Sequence, residues 1–116
     1  MKKIITILII ALVSISPIFA QNNSTKKADK LFDRLEFVKA AEEYLKLADK
    51  SPDNYIIGRL ADSYYNIFNT REAEKWYSKI INDEPNSEII FRYSEMLKAN
   101  GKYKDCLLYT SPSPRD

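Results

Sequence analysis

The sequence predicts an all-α protein of antiparallel helix pairs stacked as a solenoid, about two and a half repeats long. Three observations carry that expectation. Apolar residues recur three and four positions apart over most of residues 25–105, which is the spacing of one helix face. Turn-forming clusters interrupt those stretches: Ser51-Pro52-Asp53-Asn54, Asp83-Glu84-Pro85-Asn86 and Asn100-Gly101. The same residue classes also return at one fixed interval, as Ala28, Ala61 and Ser94; Leu31, Tyr64 and Leu97; Ala40 and Ala73; Tyr44 and Tyr77; Pro52 and Pro85. The small residues let two helices approach closely, while Leu60 and the tyrosines fill the space around the crossing. Proline cannot continue a helix, so it closes each unit.

The chain opens with Met1-Lys2-Lys3, an apolar run from Ile4 to Val13, and Phe19-Ala20 ahead of Gln21. A basic start, an apolar centre and a small residue at the cut define a secretory signal peptide over residues 1–20, itself helical. The run falls short of the roughly 20 apolar residues of a membrane span, and Ser14, Ser16 and Pro17 interrupt it. No cysteine follows it, which argues against a lipidated N-terminus. Residues 21–26 read as a polar linker supplying helix N-cap residues.

The first helix is expected over residues 25–34, with Ala28, Leu31 and Phe32 on its apolar face. The second, over residues 37–49, carries Phe37, Ala40, Ala41, Tyr44, Leu45, Leu47 and Ala48 inside, and Glu42 and Lys46 spaced to pair outside. The third covers residues 54–68 and contains Gly58, which costs about 1 kcal/mol against alanine and so suggests close packing or ligand approach. Asn69 and Glu72 have the spacing of a capping box for the fourth helix, residues 70–82, whose core stripe is Ala73, Trp76, Tyr77, Ile80 and Ile81. The fifth spans residues 87–99 and ends at Asn100-Gly101, and a sixth begins at Lys102. The units are then 27–52, 53–85 and a truncated 86–105.

Residues 106–116 show neither helical periodicity nor the repeat, and they resemble a translated reading frame of a DNA-sequencing library adapter. They are expected to be a non-native tail. It interrupts the third unit at the position of Ala40 and Ala73 and leaves the Tyr93 and Leu97 side of the fifth helix uncovered.

Composition narrows the function. The chain has 18 basic and 16 acidic residues, and setting aside Lys2, Lys3, Arg115 and Asp116 leaves 15 of each in residues 21–105. That balance lacks the basic stripe of a nucleic-acid binder. Histidine is absent and the lone cysteine, Cys106, lies in the tail, which removes histidine-based triads, cysteine nucleophiles and the usual zinc sets. Two glycines cannot build a phosphate loop. The adjacent carboxylates Glu42-Glu43 and Asp83-Glu84 read as solvated surface, and Trp76 as packing. No catalytic activity, cofactor or metal is expected.

The order Ile57, Leu60, Ala61, Tyr64, Ala73, Tyr77, Pro85 resembles the tetratricopeptide repeat, with Ile57 and Ala61 replacing the usual Trp and Gly. The resemblance implies a partner groove lined by the first helix of each unit. Its positions here are Asp29, Phe32 and Asp33, then Asp62, Tyr65 and Asn66, then Phe91, Glu95 and Lys98. Such a mostly acidic strip with an aromatic per unit would take a basic or neutral extended segment with apolar anchors. With its signal peptide, the chain further resembles the N-terminal repeat region of exported OmpA-like outer-membrane proteins. This implies an envelope scaffold, in the periplasm or at the outer membrane, that docks another envelope protein or peptide. Membrane or peptidoglycan attachment would then come from the signal peptide or from downstream domains. The alternative is the binding or regulatory arm of an exported enzyme, periplasmic sensor or assembly factor.

Overall fold

A computed structural model describes residues 24–110; residues 1–20, where a signal peptide is expected, residues 21–23 and residues 111–116 lie outside the described part. Within it the chain forms six helices and no strand: α1 (Lys26–Asp33), α2 (Phe37–Lys50), α3 (Asn54–Asn66), α4 (Thr70–Ile80), α5 (Ser87–Ala99) and α6 (Tyr103–Thr110). The principal contacts join each helix to its neighbour in sequence, from α1 on α2 through to α5 on α6. Each pair therefore rests on the next in a line.

Local chemistry sets the helix boundaries. The Asp53 carboxylate accepts the Ile56 N–H at 2.8 Å and the Asn86 side chain accepts the Ile89 N–H at 2.9 Å, so α3 and α5 start on side-chain caps at equivalent places in successive units. The exposed Pro52 and Pro85 precede those caps. The three turns within the pairs are built alike. Leu35, Phe68 and Gly101 all have positive φ, at 63°, 57° and 80°. The N–H groups of Glu36, Asn69 and Lys102 reach back to the carbonyls of Leu31, Tyr64 and Leu97, while those of Leu35, Phe68 and Gly101 reach Phe32, Tyr65 and Lys98. These are Schellman motifs, which glycine normally closes because a Cβ is disfavoured there. Here two of the three are closed by large apolar residues instead.

The core follows the register of the repeat. Ala28, Ala61 and Ser94 are buried, as are Ala40 and Ala73, Tyr44 and Tyr77, Leu60 and Tyr93; at a further register position Leu97 is buried, and Leu31 and Tyr64 are partly buried. The buried Ser94 hydroxyl is satisfied by donating to the Phe91 carbonyl at 2.7 Å.

Several local expectations are corrected. Helix α6 continues through residues 106–110. Cys106 is small enough to stand at the Ala40 and Ala73 position and packs against the core, and the Tyr109 ring meets Tyr93 edge-on at 5.0 Å. Tyr93 and Leu97 are consequently buried rather than open. Lys46 pairs with Glu43 at 3.1 Å, where Lys27 also binds at 3.2 Å, and not with Glu42, because Glu43 faces α1 and Glu42 faces water. Half of the capping box forms. Asn69 accepts the Glu72 N–H at 3.4 Å, but the Glu72 carboxylate receives the Trp76 indole at 3.3 Å, since the Asn69 N–H is already used by the Schellman turn. Gly58 is not forced by crowding: a Cβ there would sit 3.6 Å from Ile80 Cδ1, an ordinary contact.

Candidate functional site

Eight of the nine groove positions implied by the repeat fall into two overlapping groups, and Asp33 stands apart. Asp29 and Asp62 are junctions that tie successive pairs together. Asp29 accepts the Tyr44 hydroxyl from α2 and, at 2.9 Å, the Tyr55 hydroxyl from α3. Asp62 accepts the Tyr77 hydroxyl at 2.5 Å and Arg92 Nη1 at 2.7 Å. The sequence offset is identical in both cases: each aspartate bonds the tyrosine fifteen residues on, then a group from the next pair. The aromatic groove positions join in. Arg59 lies over the Phe32 ring at 4.3 Å and Arg92 over the Tyr65 ring at 5.2 Å, the same contact one repeat later. Glu95 continues the row by accepting the Tyr65 hydroxyl at 2.5 Å.

These contacts leave an electrostatic imprint. Burial pushes the Tyr44 and Tyr77 phenols far above their ordinary value, and the aspartates facing them push further in the same direction. For Tyr65 the hydrogen bond to Glu95 leads, followed by burial. Burial pulls the Arg92 guanidinium down, but its hydrogen bond and attraction to Asp62 outweigh that, and the net shift is upward. The acidic strip is thus largely spoken for by hydroxyls and guanidinium groups within the fold.

The second group lies around α5. Tyr65, Asn66, Glu95 and Lys98 line a depression of about 660 Å³ with Phe68, Met96, Ala99 and Tyr103. Phe91, Glu95 and Lys98 line an adjoining one of about 470 Å³ with Ser94, Tyr103, Cys106 and Leu107. Asp33 is exposed at the end of α1, and Asn66 turns its amide back onto the Asp62 carbonyl at 2.7 Å. The structure therefore brings five of the nine positions into one continuous surface, and three of the rest, Asp29, Phe32 and Asp62, into the joints.

Three participants escape a reading by residue type: Tyr55, Arg59 and Arg92. The signal that could have found the arginines is that they stand one repeat apart. Among the described residues no group of three or more His, Cys, Asp or Glu is arranged to hold a metal ion, and no helix is long and apolar enough to cross a membrane. Glu43, one of the adjacent carboxylates, has its pKa lowered by hydrogen bonds from Lys46 and Lys27, the opposite of what a general acid needs. Trp76 is buried, with Lys75 and Lys79 over its ring at 5.2 and 5.4 Å.

Comparison of the chain with protein-family models, with curated proteins and with solved structures finds no match.

Proposed function

We propose that this chain is a partner-binding helical-repeat region, of tetratricopeptide type, from an exported protein of the bacterial envelope, and that it has no catalytic role of its own. The observation that carries the reading is a double recurrence at the repeat interval, of the Schellman turns at Leu35, Phe68 and Gly101 and of the aspartate–tyrosine–arginine joints. A unit repeated in backbone and in joint chemistry gives an elongated array whose flank can hold an extended segment. The surface around Tyr65, Asn66, Phe91, Glu95 and Lys98 is the part of that flank left for a partner. Export rests on the signal peptide at residues 1–20. Peptidoglycan contact belongs, in this reading, to a domain beyond the repeats, as in OmpA-like proteins.

The test is site-specific photo-crosslinking in living cells, with a photoreactive phenylalanine analogue in place of Phe91 or, as a control, of the exposed Lys46 on α2. The proposal expects a discrete protein adduct from position 91, none from position 46, and the tagged chain in the periplasmic or outer-membrane fraction. Equal labelling from both positions would overturn the binding surface. A cytoplasmic chain with its N-terminus uncut would overturn the envelope assignment.

A further inference from the structure

Asn100 is the one asparagine in the sequence that is followed by glycine. Such a pair is chemically labile in water. The side-chain amide carbon lies one ring closure away from the next backbone nitrogen, and a glycine there has no Cβ to obstruct the approach. In this fold the pair also sits at a joint. The Asn100 amide, half-buried at the end of α5, donates at 3.0 Å to the Thr70 carbonyl and at 2.6 Å to Glu74 Oε2 on α4. Lys102 holds the other oxygen of the same carboxylate. At the first joint the equivalent places are apolar, with Phe37, Ala41 and Ile67 where the second has Thr70, Glu74 and Asn100.

The closed tie opposes the reaction of the pair. The Gly101 nitrogen can attack only after its proton is lost to solvent and the Asn100 side chain has swung toward it. That N–H is instead donated to the Lys98 carbonyl at 3.0 Å, and the side-chain amide is committed to α4 by two hydrogen bonds. Both sets of bonds must open together before the ring can close.

We propose that Asn100 is a site of spontaneous deamidation that the tie to α4 protects, and that conversion keeps the tie from re-forming. In the step itself the Gly101 nitrogen bonds to Cγ of Asn100, the Cγ–Nδ2 bond breaks, and ammonia leaves with a proton from solvent, giving a cyclic imide. Water then adds to one of the two imide carbonyls and opens the ring. The product is aspartate or, with the main chain routed through Cβ, isoaspartate. Either one turns a donor into an acceptor. A carboxylate at position 100 has no proton for the Thr70 carbonyl or for Glu74, and it sets a second negative charge against Glu74 with Lys102 shared between the two. Isoaspartate also lengthens the main chain ahead of Gly101, so the turn loses the fit that lets Gly101 reach Lys98 and Lys102 reach Leu97. The second joint is therefore a one-way latch: it opens and closes reversibly until an opening is long enough for the ring to form.

The test follows Asn100 by peptide mapping with mass spectrometry in the full chain, incubated near neutral pH with and without urea. The folded chain should convert roughly tenfold or more slowly than the unfolded one, because only the opened population reacts. Glu74→Ala should speed the folded reaction several-fold, and the buried Ala41 at the equivalent place shows that a helix pair of this kind accepts alanine there. Asp29→Ala strikes the other joint and serves as the control for general loss of stability, so it should leave the rate at Asn100 unchanged. Asn100→Asp should lower the melting temperature by roughly 5 °C. Equal rates with and without urea, or equal acceleration by Asp29→Ala and Glu74→Ala, would overturn protection by the tie. An unchanged melting temperature in Asn100→Asp, with aged and fresh chain melting alike, would overturn the latch.

Discussion

The two joints of the array occupy the same register yet are wired differently. At the first, the Tyr55 hydroxyl reaches Asp29, and Arg59 is left to stack on Phe32 while its Nε donates to that same hydroxyl at 3.4 Å. At the second, Glu88 stands in the place of Tyr55. It holds Nη2 of Arg92 while Nη1 bonds Asp62 at 2.7 Å. One substitution in the repeat replaces a hydroxyl bond to the aspartate by an arginine ion pair, while the cation–π contact is kept at both joints. The difference teaches that the fixed element is the buried tyrosine bonded to an aspartate. The connection to the next pair is replaceable.

The comparison can be broken by removing each carboxylate. Asp62→Ala leaves the buried Tyr77 hydroxyl and the partly buried Arg92 without their acceptor, and should cost about 3 kcal/mol in urea unfolding. Asp29→Ala orphans Tyr44 but leaves Tyr55 exposed to water, and should cost about 2 kcal/mol. Equal losses would show that wiring is irrelevant. The Asp62 joint alone should also weaken with added salt, since part of its energy is charge attraction at a partly exposed site.

Alkali acts on both joints through the element they share. The Tyr44 and Tyr77 pKa values are raised in the folded state, so the stability they confer is complete below the ordinary phenol pKa of about 10 and declines as pH rises above it. The tyrosinate absorbance of Tyr44 and Tyr77 should therefore appear only together with unfolding. Full tyrosine titration before any loss of ellipticity would contradict the buried bonds.

Smaller effects sharpen the same contrast between fixed and replaceable parts. Leu35→Gly and Phe68→Gly should each stabilise by about 1 kcal/mol, because they give the first two turns the glycine that the third already has. Gly58→Ala should stabilise by a similar amount, about 1 kcal/mol, as the space is free. Glu43→Gln should cost no more than about 0.5 kcal/mol, and Glu42→Gln less, which would confirm that the surface pair is Glu43 with Lys27 and Lys46.

The helices were readable because their limits are set by neighbours in the chain. Asp53, Asn86, the prolines and Gly101 act within a turn of themselves, and the expected fifth helix coincides with Ser87–Ala99. The joints were less readable because a tyrosine hydroxyl can choose among several carboxylates once the helices meet. Tyr44 and Tyr77 read correctly as core residues, but a buried phenol also requires an acceptor, and that requirement pointed to Asp29 and Asp62. Taken one at a time, those aspartates looked like free groove charges. The turns at Leu35 and Phe68 were hidden for another reason: neither residue signals a left-handed conformation, and only their register with Gly101 does so. The start of α6 was expected, but residues 106–110 were set apart for want of periodicity and the repeat, whereas there the helix continues with Cys106 on the core and Tyr109 on Tyr93.

Most contacts join helices adjacent in sequence, and the Asp29 and Asp62 joints add side-chain ties from α1 to α3 and from α3 to α5. Tension applied between the two ends therefore passes from pair to pair in series, and each junction between pairs carries the whole load. Such a body does not shear as a block. It lengthens in steps as the weakest joint opens first, and on release the remaining pairs serve as the template on which the detached helix re-forms. Strung between two anchored partners, the array would behave as an extensible tether with a graded yield.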